Sequence, residues 1–343
     1  MNFCKRKKLK LLDFTTMPPR YHPADYPVFR QAVLSALFLV PLALGIWLVS
    51  GSEKEEQVAR SGEAITIEPL PEPSKLTPLE IGPEDIQAEA AVVYDLKTDT
   101  ALFTKNEHEI HSLASITKLM TALLVAELLD HNNAVITVTE EAVRQYGNSG
   151  LRVGERVTAE NLNQYALLSS SNDAAYALAH SIGEKLFDGE GSQAFVDAMN
   201  VRATELGLTE TVFQNPTGLD VSTVESGALG TAEDVSKLMS FLVLEHSELL
   251  APTRNIEQPI YNQDGEFHRA ANTNPLVQNI PNLIGSKTGY TDLAGGNLVV
   301  AFDVGFNRPI VVTVLNSSWT GRFQDVEFLI DSTIRHLQSN DID

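Results

Sequence analysis

A serine and a lysine three positions apart, Ser115 and Lys118 in Ser115-Ile116-Thr117-Lys118, have the types and spacing for nucleophilic chemistry. On a helix, residues i and i+3 share a face, so hydroxyl and amine come within hydrogen-bonding reach. A serine hydroxyl is a weak nucleophile until a base stands beside it. A lysine serves as that base when burial and nearby positive charge draw its pKa down from about 10.4 towards neutrality. The apolar residues around Lys118 supply the burial. A helix start also offers the Ser115 N–H as an oxyanion donor. Alone, the four-residue pattern is common, and a helix cap followed by a solvated lysine fits it as well.

A second polar group follows at Ser170-Ser171-Asn172. A hydroxyl there can pass a proton to a leaving amine, and the amide can hold a substrate carbonyl; an ordinary polar turn has the same composition. The third group is Lys287-Thr288-Gly289, followed by Tyr290. A cation and a hydroxyl on a strand edge, with a glycine permitting close approach, suit the docking of an extended peptide. A phosphate loop is excluded there, because Ser286 stands where that pattern needs glycine before the lysine.

The three motifs in this order are specific where each alone is not. The chain resembles the low-molecular-mass penicillin-binding proteins, the serine D-alanyl-D-alanine carboxypeptidases, over residues 88–337. The likeness extends to Gly154-Glu155-Arg156-Val157-Thr158, Asn172-Asp173-Ala174-Ala175, Asn215-Pro216-Thr217-Gly218-Leu219, Thr231-Ala232-Glu233-Asp234, Asn272-Thr273-Asn274 and Lys287-Thr288-Gly289-Tyr290-Thr291. The resemblance implies that Ser115 is the acylated nucleophile and Lys118 its general base. It implies Ser170 in proton relay, Asn172 on the substrate amide, and Lys287, Thr288 and Gly289 on the strand side. The Tyr290 N–H would complete the oxyanion hole, and Arg322 would bind the substrate's terminal carboxylate as a bidentate guanidinium can. The implied substrates are peptidoglycan stem peptides, cut between two D-alanines, with β-lactams as covalent inhibitors. The motif Ser169-Ser170-Ser171-Asn172 replaces a glycine-containing turn and leaves open which serine faces the cleft.

Three other readings compete. A DD-endopeptidase of the same family would cut cross-links. A class A β-lactamase would need a deacylating glutamate, and the nearest candidate, Glu205, falls at a helix end where packing explains it. A non-catalytic cell-wall scaffold would need none of the catalytic side chains. No cofactor is expected: the eight histidines show no metal-binding grouping, and the single cysteine, Cys4, excludes a Cys-based zinc site.

Elements that position these residues are legible in outline. Ala90–Tyr94 is a β-branched run, and Ser115–Leu129 is apolar nearly all round, as a buried helix is. Residues 162–182, 193–206 and 231–244 read as further helices. Residues 297–304 and 309–315 read as a hairpin turning through Gly305-Phe306-Asn307-Arg308. A last helix over 322–337 aligns Phe323, Val326, Ile330, Ile334 and Leu337. Strands at both ends with helices between predict a mixed α/β fold of the β-lactamase/DD-peptidase kind. Its antiparallel sheet forms from both ends of the domain, is flanked by helices, and carries an inserted helical subdomain.

Charge divides the chain. Residues 1–50 carry seven Lys/Arg against Asp13 and Asp25, a net of +5, whereas the other 293 residues hold 18 basic and 43 acidic groups. That excess of acid excludes nucleic acid as a partner. Residues 32–50 are uncharged for nineteen positions, close to the length that crosses roughly 30 Å of hydrocarbon. All basic residues of the first fifty precede this run, so the expected arrangement is a cytoplasmic tail (1–31), an uncleaved signal anchor (32–50) and an extracytoplasmic remainder. Residues 51–87, with five prolines and nine carboxylates, read as an extended tether to a catalytic domain over 88–343.

Overall fold

Alternating β-branched residues at the two ends of the domain form one sheet. The structure, a computed structural model, describes residues 78–340 apart from 130–132, 148, 188, 190 and 306. The strands are β1 (Ala90–Asp95), β2 (Thr100–Lys105), β3 (Leu283–Thr291), β4 (Gly295–Asp303) and β5 (Pro309–Ser317), in spatial order β3-β4-β5-β1-β2. Every neighbouring pair is antiparallel. β1 pairs with β5 in the register Ala90↔Leu315 to Asp95↔Ile310, so N- and C-terminal segments share the sheet's middle.

Side chains alternate between two buried faces, as the two-residue strand period requires. Val92, Val299, Ala301, Val311 and Leu315 face the larger core, built with α1 (Lys118–Leu128), α2 (Ala159–Leu168), α3 (Asn172–Leu186), α4 (Ser192–Glu205) and α5 (Ala232–Glu245). Val93, Leu298, Val300, Phe302, Val312 and Val314 face the second core, covered by α6 (Gly321–Asn340). On α6 the predicted stripe holds, with Val326, Ile330 and Leu337 buried and Phe323 and Ile334 packed against them. Each such aliphatic side chain contributes roughly 1.5–3 kcal/mol by leaving water.

Two sequence expectations change. The helical stretch over 162–182 is two helices, α2 and α3, because Ser170 takes a left-handed backbone conformation (φ 61°) that an α-helix cannot accommodate. Residues 78–87, expected to belong to an extended tether, also pack on the domain instead. Leu79 and Ile86 are buried in the second core, and the Leu79 N–H donates to the Leu102 carbonyl. The N–H groups of Gln87 and Ala88 each donate 2.9 Å to the buried Asp325 carboxylate. Proline content suggested an extended linker there, but two apolar side chains and one acceptor hold it to the sheet. The tail 1–31, the anchor 32–50 and residues 51–77 lie outside the described residues. Among the described residues no helix is long and apolar enough to cross a membrane.

Candidate active site

Ser115 lies in a 3₁₀ turn, Ala114–Thr117, that runs directly into α1 at Lys118. The turn is wedged between two glycines. A Cβ on Gly218 would lie 1.8 Å from the Ala114 carbonyl oxygen, and one on Gly289 would lie 2.8 Å from that of Leu113. Ala114 itself is left-handed (φ 48°), which costs an alanine roughly 1–2 kcal/mol. Packing therefore holds the nucleophile's backbone where propensity would not.

The Lys118 amine is fully buried and lies 2.8 Å from the Ser115 Oγ. It also donates 2.7 Å to the Thr217 carbonyl. That carbonyl is presented by a self-bonded loop in which the Asn215 Oδ1 accepts from the Thr217 and Gly218 N–H groups and the Thr217 hydroxyl. Burial first, and then the charge of Lys287, holds the Lys118 pKa well below the usual lysine range. A neutral amine gives one proton to Thr217 and keeps a lone pair for the Ser115 proton.

The second motif closes the opposite wall. Ser170 Oγ accepts a 2.9 Å hydrogen bond from Lys287 Nζ, and Ser170 lines the cleft. Ser171 instead is buried: its Oγ accepts from the Ala174 N–H at the start of α3 and lies 2.8 Å from the Ser149 Oγ. Of these two serines it is thus Ser170 that faces the cleft. Asn172 donates 2.7 Å to the Tyr146 carbonyl, which leaves its Oδ1 buried without a partner. It is half-buried and is not among the residues that line the cleft.

β3 is an edge strand and forms the third wall. Lys287 is buried, donates 2.9 Å to the Thr288 carbonyl, and has its pKa drawn down to about 7 by burial and by the Arg322 charge. The Thr288 hydroxyl meets that of Thr273 at 2.6 Å. Tyr290 is exposed and meets Trp319 edge-on, with ring centroids 4.6 Å apart.

Arg322 sits at the start of α6, yet it is buried. One terminal N–H donates 2.6 Å to the Gly289 carbonyl, and the guanidinium lies 4.5 Å from the Trp319 ring and 4.7 Å from that of Phe323. Desolvation lowers its pKa to about 10. The Nε is buried without a hydrogen-bond partner.

Ser115, Ser170, Thr288, Tyr290 and Arg322 thus line one cleft of about 480 Å³, together with Thr273, Pro275, Trp319 and Phe323. None of these nine is acidic. Glu205 is not among them and is ion-paired with Arg202 at 3.0 Å. The sequence offered no signal for Trp319, a lone aromatic outside any periodic run. It also hid Asn297, whose buried amide donates to the Ser112 carbonyl and ties β4 to the segment before the nucleophile. Thr217 and Thr273 lie within the family-like stretches Asn215-Pro216-Thr217-Gly218-Leu219 and Asn272-Thr273-Asn274, whose composition alone gives neither a role.

The D-alanyl-D-alanine carboxypeptidase family matches residues 77–318. The chain is 30% identical over 259 residues to the D-alanyl-D-alanine carboxypeptidase DacF of Bacillus subtilis, covering 74% of this chain and 64% of that protein. It is 32% identical to a D-alanyl-D-alanine endopeptidase of Escherichia coli, covering 68% of this chain and 72% of the relative. Among solved structures it is similar to a penicillin-binding protein of Listeria monocytogenes in its ampicillin-bound form. That match has a TM-score of 0.61 and 29% identity, and covers 72% of this chain and 97% of the other.

Proposed function

The chain belongs to the D-alanyl-D-alanine carboxypeptidase family, and we propose that it cleaves the bond between two D-alanines of peptidoglycan stem peptides through an acyl-enzyme on Ser115. The observation that carries this reading is the fully buried Lys118 amine, 2.8 Å from the Ser115 Oγ and depressed in pKa.

In this mechanism Lys118 takes the Ser115 proton as Oγ bonds to the carbonyl carbon. The Ser115 and Tyr290 N–H groups hold the resulting oxyanion, each such donor being worth roughly 10²–10³ in rate. The C–N bond then breaks, and the departing amine takes a proton relayed through Ser170. Water splits the Ser115 ester and returns the proton to the serine. By the family resemblance Asn172 holds the substrate amide, while Lys287, Thr288, Gly289 and Arg322 bind the peptide and its terminal carboxylate. β-Lactams would acylate the same hydroxyl, in keeping with the ampicillin-bound form of the Listeria protein.

A second reading, cutting of cross-links, draws on the endopeptidase relative. Incubation with muropeptides separates the two: free D-alanine from pentapeptides marks a carboxypeptidase, and dimers falling to monomers mark an endopeptidase. Neither product, from a folded protein that also takes up no benzylpenicillin mass at Ser115, overturns both.

The reading extends to location. The nineteen-residue uncharged run 32–50 behind a basic tail supports a signal anchor with a cytoplasmic N-terminus and an extracytoplasmic catalytic domain. Protease accessibility of the domain in intact spheroplasts tests it; protection of the domain would overturn it.

A further inference from the structure

Thr273 is an exposed residue on a turn that is held unusually firmly. On one side, the Asn272 side chain donates 2.8 Å to each of the Thr253 and Asn255 carbonyls. On the other, Asn274 is buried and donates 3.0 Å to the Ser286 Oγ while accepting from the Leu276 N–H. The Asn272 Oδ1 accepts from the Asn274 N–H across the turn. Two asparagines thus fix the backbone of a residue whose own side chain contributes nothing to a core. What that side chain does is meet the Thr288 hydroxyl at 2.6 Å, in the cleft wall that also contains Arg322.

Two hydroxyls carry two protons. One is consumed in the bond between them, in whichever direction it runs, and the other is left to point away from the pair. The donor that remains is polarised by the bond behind it and loses rotational freedom. An anion is the acceptor that gains most from such a donor. The cleft offers no competing carboxylate of its own, and the Arg322 guanidinium brings a positive charge to the same lining.

We propose that Thr273 is a specificity-determining residue: paired with Thr288, it forms a two-hydroxyl cradle that selects substrates ending in a free carboxylate. This rests on the peptidase reading of the same cleft and assigns to Thr273 a contact that the three motifs do not contain.

The test compares Thr273→Val, which removes the hydroxyl at nearly constant volume, with the unaltered full chain. The substrates are an acyl-D-alanyl-D-alanine peptide and the same peptide with its C-terminus amidated. The expected result is about a tenfold fall in kcat/KM for the carboxylate, a fall of less than twofold for the amide, and recovery of the preference in Thr273→Ser. Equal losses on both substrates, or no loss on either, overturn the proposal. If Thr273→Val does not fold, Thr273→Ala takes its place with the same outcomes. Failure of the peptidase reading looks different, because the unaltered chain would then cleave neither peptide.

Discussion

Lys287 depresses the proton affinity of Lys118: the cleft buries two lysines at 1% exposure or less, and the charge on one helps discharge the other. Among the described residues neither amine has a carboxylate within ion-pair distance. Lys118 is instead held by the Ser115 hydroxyl and the Thr217 carbonyl, and Lys287 by the Ser170 hydroxyl and the Thr288 carbonyl. Arg322 plays towards Lys287 the part that Lys287 plays towards Lys118. Burial and the charges of Arg322 and Lys287, acting in series, favour the unprotonated form of Lys118.

Replacing Lys287 by methionine should raise stability while impairing the enzyme. At pH 7 the unfolded chain carries a protonated lysine that the folded protein holds at a pKa of about 7 instead of 10.5. That difference costs about 5 kcal/mol, partly offset by two hydrogen bonds worth about 1 kcal/mol each. Between pH 7 and 10.5 the unfolded state binds the extra proton, so native stability rises with pH across this window. The gain in denaturation midpoint for Lys287→Met should therefore be largest near pH 7 and vanish towards pH 10.5. A gain independent of pH would show that desolvation of the amine is not its cause.

The same variant should move the pH profile of acylation. Removing the Lys287 charge lets Lys118 hold its proton more tightly, so the acid limb shifts to higher pH. Stopped-flow acylation by a chromogenic β-lactam between pH 5 and 9 reads this directly; an unmoved limb would mean that the two amines do not communicate.

Arg322→Lys should lower kcat/KM for a carboxylate-ended peptide by about 10–100-fold. A lysine keeps the charge but loses the flat guanidinium that packs between Trp319 and Phe323 and reaches the Gly289 carbonyl. Steady-state kinetics with a peptide of this kind check it, and parity with the unaltered protein would remove Arg322 from the binding site.

Gly218→Ala should both destabilise and inactivate. Its φ of 76° and a Cβ placed 1.8 Å from the Ala114 oxygen force the Thr217 loop away from the nucleophile's turn. A loss of about 2 kcal/mol or more follows. The acylation rate should fall further than the lost folded fraction explains, because the Thr217 carbonyl no longer holds Lys118. Calorimetry and benzylpenicillin labelling on one sample distinguish the two effects.

Ser170→Ala should leave the fold intact and slow turnover by about 10²–10⁴, the range for losing a positioned proton carrier. Rate measurements on the peptide against an unchanged circular dichroism spectrum test this; full activity would assign the relay elsewhere.

How much of this was legible beforehand depended on distance along the chain. Ser115 and Lys118 are one turn apart, so local geometry sufficed to pair them. The stripe on α6 and the alternation in β4 and β5 are likewise patterns with short periods, and they predicted the elements and the mixed α/β class. Ser170 could not be chosen over its neighbours from composition, because the left-handed backbone that aims it into the cleft is imposed by α2 and α3 packing on either side. Leu79 and Ile86 were lost among prolines, although their burial depends only on where β2 and α6 happen to lie.

The amino-acid order alone determined which side chains are candidates for the chemistry, since the proposed nucleophile, base, relay and docking strand all lie in short contiguous motifs. Only the tertiary structure decided their reactivity. Burial without a counter-ion lowers the pKa of Lys118, an aromatic pair packs on the buried Arg322, and a turn that precedes β3 sets Thr273 against Thr288. Those properties arise from which groups are excluded from water together, and for Lys118 that depends on contacts such as the one with Thr217, about a hundred positions away.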